Sequence, residues 1–232
     1  MDENQPAVPR HLGIIPDGNR RWAKAKGLPT LEGHRQGVEA FKQICYAALD
    51  HGVEVVTYYA FSTENWHRTP AEVKYLMELF FAKVTSDIAE VHDLNVRFRF
   101  VGSRVGLGDR LLKALDNAEA VTAANTRGTL AICLNYGGEQ ELVDAAAQVL
   151  AAGVVPAALS IDMLAGALYA PELPPIDLVI RTSGEQRLSG FMLWRAAYAE
   201  LYFTAKHWPD FTPDDLALAL DDYAGRKRRF GK

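Results

Sequence analysis

The first stretch whose residue types could do chemistry is Asp-Gly-Asn-Arg-Arg at residues 17–21. An apolar run at residues 12–15 precedes it and predicts a buried strand, which Pro16 ends. The carboxylate of Asp17 could then hold a divalent cation, while the backbone N–H groups of the turn and the two guanidinium groups could bind anionic oxygens. These residues suit a diphosphate that carries Mg²⁺. The alternative is an ordinary strand-to-helix connection in which Asp17 caps the helix and both arginines are solvated.

Two further polar loops follow apolar runs in the same way. Residues 62–68 (Ser-Thr-Glu-Asn-Trp-His-Arg) come after the run at 53–61, and residues 181–189 (Arg-Thr-Ser-Gly-Glu-Gln-Arg-Leu-Ser) come after the run at 176–180. Ligands of open parallel sheets bind beyond the carboxyl ends of the strands. The three loops therefore predict a single site.

The loop at residues 181–189 has its own chemistry. Arg181 and Arg187, with Ser183 and Ser189, could cradle a second diphosphate, since arginines bind phosphate oxygens in bidentate fashion. Glu200, in the short strand predicted downstream, could be a second carboxylate near the cation. The alternative for this loop is that its arginines are merely solvated.

The chain alternates strand-type and helix-type patterns, as a parallel α/β sheet requires. Thr-Pro pairs at residues 69–70 and 212–213 predict the starts of two of the helices. The pattern predicts one α/β domain with a mostly parallel central sheet flanked by helices. The further predicted strands are 96–101, 129–134 and 199–203, and the further predicted helices include 33–51, 111–124, 139–150 and 161–168.

The helix that follows Thr69 carries a wide apolar stripe, bulkier than packing on a sheet requires. Core packing is the simpler interpretation. The functional interpretation is that part of the stripe lines a cleft for a hydrocarbon chain, which adds an apolar tunnel between sheet and helices to the predicted fold. The stripe consists of Val73, Leu76, Met77, Phe80, Phe81, Val84, Ile88 and Val91.

Composition limits the function classes. The 232 residues can bury one sizeable core, and a net charge of −4 provides no overall basic field for a nucleic acid. Cys45 and Cys133 lack metal-type spacing, which predicts reduced core thiols in a cytoplasmic protein and no zinc site. No run approaches the roughly 18 apolar residues of a membrane span, so we expect peripheral membrane contact at most, through the product. Residues 1–9 are predicted to be a disordered lead-in, without the apolar centre of a signal peptide, to a domain at residues 10–232.

Several motifs taken together resemble the signatures of the cis-prenyltransferases, the undecaprenyl diphosphate synthase family. The residues alone indicate a diphosphate attached to an apolar group and do not identify the reaction. The motifs occur in the family's order, and this joint agreement is far more specific than any one of them. They are residues 11–22 with Gly33-His34, 59–66 with Arg68, 135–138, 177–185 with Arg187 and Ser189, and 197–203.

The resemblance implies a Mg²⁺-dependent enzyme that condenses isopentenyl diphosphate with an allylic prenyl diphosphate in cis geometry and releases diphosphate. Asp17 would hold Mg²⁺, and Glu200 would complete the metal environment. Asn65 is implied to assist proton removal, although a neutral amide is a poor base. Arg229 and Gly231 resemble a C-terminal element that reaches the partner subunit's site, which implies a homodimer. The other implied substrate-binding residues are Gly18, Asn19, Arg20, Arg21, Trp22, His34, Ser62, Thr63, Glu64, Trp66, Arg68, Arg181, Arg187, Leu188 and Ser189.

Two positions depart from the family's common pattern. Pro16 replaces the usual Met and removes an N–H next to the predicted catalytic turn. Thr30 stands where many members have an arginine that contacts the allylic diphosphate, which puts the usual donor affinity in doubt. Ala60 leaves room for a longer product, whereas Phe80 and Phe81 could fill the tunnel, so product length stays open.

Two rival functions share the predicted fold. One is a specialised prenyltransferase of secondary metabolism with a non-standard donor or acceptor, although the set Arg181, Arg187 and Ser189 would then have no reason to remain. The other is a non-catalytic partner subunit, but such subunits lose the aspartate of the first turn and Asp17 is present. The chain has no Asp-Asp-x-x-Asp run of the kind that trans-type prenyl synthases use to bind their metals.

Overall fold

The computed structural model of this chain describes residues 8–226. Six strands form one sheet in the order β3-β4-β2-β1-β5-β6, and every pairing in it is parallel. Both faces are covered, and all five residues of the central strand β1 are buried, which explains its continuous apolar sequence. The strands are β1 (His11–Ile15), β2 (Val55–Ser62), β3 (Val96–Val101), β4 (Gly128–Tyr136), β5 (Leu178–Arg181) and β6 (Glu200–Phe203).

The helices connect the strands and cover the sheet. The prediction of a single parallel α/β unit is confirmed, with element boundaries displaced by a few residues. The α-helices are α1 (Asn19–Ala25), α2 (Thr30–Asp50), α3 (Pro70–Asp93), α4 (Asp109–Thr122), α5 (Gly138–Ala151), α6 (Ile161–Ala167) and α7 (Pro213–Gly225). Short 3₁₀ helices cover Thr63–His67, Pro156–Ala158 and Trp208–Asp210.

Local capping explains where two of the helices begin. The Thr69 hydroxyl accepts from the N–H of Glu72 at the start of α3, with Pro70 at the first helical position. Thr212 and Asp215 form a reciprocal capping box at the start of α7. Both starts agree with the sequence prediction because these signals are local.

Three details differ from the predictions. Helix α2 begins at Thr30 rather than residue 33. The predicted polar loop at 62–68 contains a 3₁₀ turn. Within the predicted lead-in, Pro9 is buried and Val8 packs against the core; residues 1–7 lie outside the described part of the chain.

An apolar cavity lies between the sheet and helices α2 and α3. The empty space within its walls, including the open side, is about 800 Å³. Part of the predicted stripe contributes to it, namely Phe80, Val84, Ile88 and Val91, whereas Phe81 does not line it and instead lies under the Arg110 guanidinium. An apolar cavity is therefore present where the tunnel is expected, and the stripe serves both the cavity and the core.

Cys45 and Cys133 are both buried free thiols, as predicted. Burial raises the pKa of each thiol well above its ordinary value, so both remain protonated and unreactive. Among residues 8–226, no helix is long and apolar enough to cross a membrane.

Candidate active site

The three polar loops meet at the carboxyl edge of the sheet, as the sequence predicted. Strand β1 pairs with β2 on one side and β5 on the other, so the residues that follow them are brought side by side. Two pockets open there, and both are lined by Asp17, Tyr59, Asn65 and Arg68. We name them the helix-side pocket, below α1 and α2, and the loop-side pocket, against residues 181–189 and the start of α5.

Asp17 lies between these pockets. Its Oδ2 accepts from an Arg181 Nη at 3.0 Å, its Oδ1 accepts from the Gly18 N–H at 2.8 Å, and Arg21 approaches Oδ1 at 3.2 Å. Partial burial raises the pKa of the Asp17 carboxyl, but the hydrogen bonds and charges of Arg181 and Arg21 outweigh it and hold the pKa below its ordinary value. The carboxylate is therefore ionised at neutral pH.

The backbone around Asp17 is fixed by side chains far away in sequence. The Thr182 hydroxyl accepts from the Asp17 N–H and donates to the Asp17 carbonyl, both at 2.8 Å. Gly18 has a φ of 104°, and a Cβ there would come within 2.5 Å of the Ser183 hydroxyl oxygen and 2.7 Å of His207 Nδ1. Only glycine fits this position. Because Gly18, and not Asp17, is the N-cap of α1, the interpretation of Asp17 as a helix cap is wrong.

The helix-side pocket is lined by both basic and apolar residues. Tyr58 and Ala60 line both this pocket and the apolar cavity, so the two spaces are neighbours. Thr30, the position that departs from the family pattern, lies on its wall. The predicted residues that line it are Asp17, Gly18, Asn19, Arg20, Arg21, His34, Asn65 and Arg68.

Glu72 organises the wall of this pocket, and the sequence analysis did not single it out. Its Oε1 lies 3.1 Å from His34 Nε2 and accepts from Arg68 Nη1 at 3.2 Å, while the whole residue is buried. Burial lowers the pKa of His34, so its ring is neutral at neutral pH. The signal in the sequence that indicates this contact is the position of Glu72 one helical turn after Arg68.

The loop-side pocket is built around Arg181, whose side chain is almost fully buried. One of its Nη groups donates to the Ser189 hydroxyl at 2.8 Å and to the carbonyl of Arg187. Its Nε has no hydrogen-bond partner within the described chain, and neither has the buried Asn19 Oδ1. An orphaned buried guanidinium N–H in a pocket is a group that a ligand oxygen can satisfy.

Glu185 pairs with an arginine from each of two loops. It pairs with Arg21 at 2.9 Å and with Arg187 at 2.5 Å, which holds one arginine of each loop in place. Arg187 itself is largely exposed and does not line the loop-side pocket, and Leu188 packs against the core below it. Both exposed pairs are weak enough for a phosphate to replace the carboxylate.

The 3₁₀ turn after β2, which we name the lid turn, borders the loop-side pocket, and Ser62, Thr63 and Glu64 line that pocket. Asn65 Oδ1 accepts from the Ser62 N–H at 3.2 Å, and the Trp66 indole donates to Asn135 Oδ1 at 2.7 Å. The side-chain carbonyl of Asn65 is thus engaged in a hydrogen bond within the turn. This disfavours the predicted role of Asn65 in proton removal.

Glu200 does not come near Asp17 within one subunit. In the strand register Glu200 pairs with Leu178, which pairs with Leu12, so Glu200 lies at the opposite edge of the sheet. At about 3.3 Å per residue, the separation along the strand direction alone is roughly 16 Å. Its carboxylate is paired with Arg226 at 3.0 Å. The expectation that Glu200 and Asp17 bind the same ion within one chain is therefore wrong. The motif around Glu200 predicts a short strand but does not specify which end of that strand Glu200 occupies.

Trp22 also differs from its predicted role. It is buried, its indole N–H donates to Asp210 at 2.7 Å, and it lines neither pocket. It therefore packs α1 rather than contacting substrate. Arg229 and Gly231 lie outside the described residues.

The site fits a divalent cation that is shared with a substrate. Within residues 8–226 no cluster of three or more acidic, histidine or cysteine side chains could hold a metal by itself. Mg²⁺ is commonly bound by one or two carboxylates together with substrate phosphates. Asp17, which is ionised and about one-third exposed at 32%, is the residue that would hold the ion in such an arrangement.

Comparison with known proteins gives a consistent result. Residues 15–231 match the Prenyltransf family, described as undecaprenyl diphosphate synthase. An isoprenyl transferase of Agrobacterium fabrum is 46% identical over 97% of this chain and 93% of its own length. A ditrans,polycis-undecaprenyl-diphosphate synthase of Pseudomonas putida is 44% identical over 100% of this chain and 96% of its own.

A solved structure is also similar over nearly the whole chain. The lavandulyl diphosphate synthase of Lavandula x intermedia, in complex with dimethylallyl diphosphate, superposes with a TM-score of 0.93 and is 35% identical, covering 97% of this chain and 99% of its own. The residues that match the family model include both arginine-rich loops, most of the sheet and the residues that line the apolar cavity. This chain belongs to the undecaprenyl diphosphate synthase family of prenyltransferases.

Proposed function

We propose that this protein condenses isopentenyl diphosphate with an allylic prenyl diphosphate to give a cis-prenyl diphosphate. The observation that carries the proposal is the position of Asp17 between two pockets with arginines, only one of which shares lining residues with the apolar cavity. An allylic donor needs a site for both its diphosphate and its hydrocarbon tail. The helix-side pocket suits the donor, and the loop-side pocket suits isopentenyl diphosphate.

In this reaction the C1–O bond of the donor breaks, C1 bonds to C4 of isopentenyl diphosphate, and a proton leaves C2. Negative charge develops on the departing diphosphate. Arg20, Arg21 and Arg68 lie where they can stabilise that charge with preorganised donors. Mg²⁺, held by Asp17 and phosphate oxygens, would supply Lewis-acid stabilisation of the same charge.

The other chain groups bind and orient. We assign isopentenyl diphosphate to Arg181, Ser189 and Arg187, with the orphaned Arg181 Nε as one donor. Arg187 would exchange Glu185 for a phosphate. Asn65 and Trp66 would hold the lid turn above the reacting carbons, and we assign to Asn65 this orienting role rather than proton abstraction.

We also propose a cytoplasmic homodimer. The support is the resemblance of Arg229 and Gly231 to the family's C-terminal element and the edge position of β6 in the sheet. A partner subunit could complete a site that one chain leaves open. Light scattering during size-exclusion chromatography should give twice the monomer mass, and a monomer mass at assay concentration would contradict this.

The function is tested by incubating the purified protein with Mg²⁺, labelled isopentenyl diphosphate and donors of five, ten or fifteen carbons. We expect incorporation with at least one donor, release of diphosphate, and a cis double bond in the product by NMR. Chelation should stop the reaction, and added Mg²⁺ should restore it. Absence of incorporation with every donor would refute the proposal.

A second candidate has two observations in its favour. The lavandulyl diphosphate synthase structure is similar over almost the entire chain, and Thr30 rather than arginine lines the donor side. The candidate is a specialised prenyltransferase that uses a non-standard donor or acceptor. Incubation with dimethylallyl diphosphate alone distinguishes it, since a branched product from that substrate would favour this candidate over the first.

A further inference from the structure

Ser183 belongs to the arginine-rich loop at residues 181–189, but it does not line the loop-side pocket. The sequence groups it with Ser189 around a second diphosphate, whereas the structure turns its side chain toward His207. Its hydroxyl oxygen lies 2.7 Å from His207 Nδ1, within hydrogen-bond distance, and the residue is buried. His207 lines neither pocket. Any effect of this pair on the reaction must therefore pass through other residues.

The pair packs directly against the turn that follows Asp17. A Cβ at Gly18 would come within 2.5 Å of the Ser183 hydroxyl oxygen and within 2.7 Å of His207 Nδ1, so both side chains contact the backbone of that glycine. The N–H of Trp208, the next residue after His207, donates to the Asp17 carbonyl at 3.0 Å. The turn is therefore held on this side by residues 207–208.

Ser183 also contacts an arginine of the helix-side pocket. Its carbonyl accepts from Nη1 of Arg21 at 3.2 Å, and Arg21 lines the helix-side pocket but not the loop-side pocket. The other Nη group of Arg21 lies 3.2 Å from Asp17 Oδ1. Ser183 is thus connected to a guanidinium group and to a backbone turn that both border the pocket assigned to the allylic donor.

The segment that carries His207 is anchored in the core. Trp208 is fully buried, and its indole N–H donates to the Gly37 carbonyl at 2.8 Å. Its ring stacks on that of Phe211. His207 is therefore attached to a fixed residue and can act as a support for the loop beside it.

The backbone of Ser183 needs such a support. Its φ is 76°, in the left-handed region, which is unfavourable for a residue other than glycine and persists where the surroundings hold it. The Ser183 N–H donates to the Lys206 carbonyl at 2.7 Å, and the hydroxyl contacts His207. Residues 206–207 thus hold both the backbone and the side chain of Ser183.

Resting on the proposed function, we infer that Ser183 and His207 are positioning residues for the allylic donor rather than for isopentenyl diphosphate. The hydrogen bond between them keeps Ser183 against Gly18 and directs its carbonyl to Arg21. Without that bond the loop backbone shifts and Arg21 loses an acceptor that orients it. Binding of the donor diphosphate then weakens, because a guanidinium group binds phosphate oxygens through a fixed fork of donors.

The test compares a substitution that removes the hydrogen bond with one that keeps it. His207→Leu removes the ring nitrogen, whereas His207→Asn places an amide group near the position of Nδ1. His207→Leu should raise KM for the allylic donor by about 10-fold, the upper range for one hydrogen bond, and leave KM for isopentenyl diphosphate unchanged. His207→Asn should return donor KM toward wild type. An unchanged donor KM in His207→Leu, or an equal rise in both KM values, would overturn the inference.

A double-mutant cycle tests whether the two residues act through one bond. Ser183→Ala removes the hydroxyl group and keeps the same backbone requirement, so it should raise donor KM as His207→Leu does. Because either substitution removes the same bond, the double variant should raise donor KM no further than the single variants. Effects that multiply in the double variant would show two independent contributions and would contradict the inference.

A matched control changes the neighbouring residue of the same segment. The side chain of Lys206 pairs with Asp215 at 2.7 Å and does not contact Ser183, so Lys206→Gln should leave both KM values unchanged. A donor KM raised as much by Lys206→Gln as by His207→Leu would assign the effect to the segment as a whole and would refute the role of the bond.

A second measurement does not depend on turnover. Calorimetric titration with geranyl thiodiphosphate, an unreactive donor analogue, and separately with isopentenyl diphosphate, both with Mg²⁺, reports the two affinities. His207→Leu should bind the analogue about 10-fold more weakly and isopentenyl diphosphate as wild type does. If these affinities behave as stated but wild type makes no product, the proposed function fails and the positioning role stands. No binding of the analogue to wild type, or equal affinity in wild type and His207→Leu, overturns the positioning role.

Discussion

Two buried arginines differ in their surroundings: one lies beside the pockets, in the open region, and the other is enclosed in the interior, in the closed region. The side chains of Arg181 and Arg195 are each only 4% exposed, and each pairs with a carboxylate. The partner of Arg181 is Asp17, 32% exposed, whereas the partner of Arg195 is Glu141, 1% exposed. The Arg181–Asp17 pair borders the pockets, and we call it the open pair. The Arg195–Glu141 pair is enclosed in the interior, and we call it the closed pair.

The two arginines also differ in how many of their nitrogens have a hydrogen-bond partner. Arg195 donates to Glu141 and to the carbonyls of Tyr169, Ala170 and Leu173, so each of its nitrogens has a partner. Arg181 leaves its Nε unpartnered within the described residues. Removing one partner of an enclosed ion pair leaves an uncompensated buried charge, which is strongly destabilising, while a buried donor without a partner is a group that a ligand can satisfy. The difference predicts that mutations will separate stability from activity.

The largest effect is expected at the closed pair. Glu141 accepts from Arg195 at 3.1 Å, from the Tyr136 hydroxyl at 2.6 Å and from the Tyr169 N–H at 3.0 Å. Glu141→Ala leaves Arg195 buried and unpaired, so the free energy of unfolding should fall by about 3–5 kcal/mol. Urea denaturation measures this, with Glu141→Gln as the shape-matched control. If Glu141→Ala were as stable as the wild type, the closed pair would contribute no more to stability than the open pair, and the comparison would be wrong.

The open pair should behave in the opposite way. Asp17→Asn keeps the shape and an acceptor for Arg181 but loses the charge that would hold Mg²⁺. We expect kcat to fall by about 10²–10³-fold, because a group acting on developing charge contributes on that order. The melting temperature should change little, since solvent reaches this side chain. Turnover close to wild type would remove Asp17 from the mechanism.

Acid should weaken the closed region first. Burial, followed by the Arg195 charge, lowers the pKa of His11 to about 4, although the Pro174 carbonyl at 2.8 Å opposes this shift. Since the unfolded chain binds this proton more tightly, the stability contribution is complete above about pH 6.5 and is lost as pH falls from 6.5 through 4.

The expected loss for His11 is about 3 kcal/mol, from about 1.4 kcal/mol per pKa unit. Urea denaturation at pH 7, 5.5 and 4.5 measures it against His11→Asn, which cannot titrate. Asp17, whose pKa is lowered below 3.8, should not contribute to this loss within the same window. If the free energy of unfolding fell equally with pH in the wild type and in His11→Asn, groups other than His11 would cause the acid sensitivity.

The smallest effect should distinguish the two pockets within the open region. Arg20→Ala should raise KM for the allylic donor by about 10–100-fold, because a hydrogen bond to a charged group contributes about 1.5–3 kcal/mol. Arg187→Ala should raise KM for isopentenyl diphosphate and leave donor KM unchanged. Initial rates with each substrate varied in turn measure the split. Parallel changes in both KM values would mean that the pockets are not separate.

Much of the architecture was predictable because its signals are local. The buried run before Pro16 became β1, and the Thr69-Pro70 pair began α3 where predicted. Loops that follow parallel strands had to meet at one edge, so Asp17 and Arg181 were placed together without knowledge of their contact. The family resemblance added the reaction, which composition and spacing do not contain.

The sequence by itself thus determined the strand and helix pattern, the arginine-rich loops and the family. Only the tertiary structure decided that Glu72 joins His34 to Arg68, that Trp22 is a packing residue, and that Glu200 lies at the far edge of the sheet. The physical reason is that helix caps and strand runs depend on neighbours within a few residues. Side-chain partners depend instead on register and packing between segments, such as Asp17 and Arg181, which are 164 residues apart.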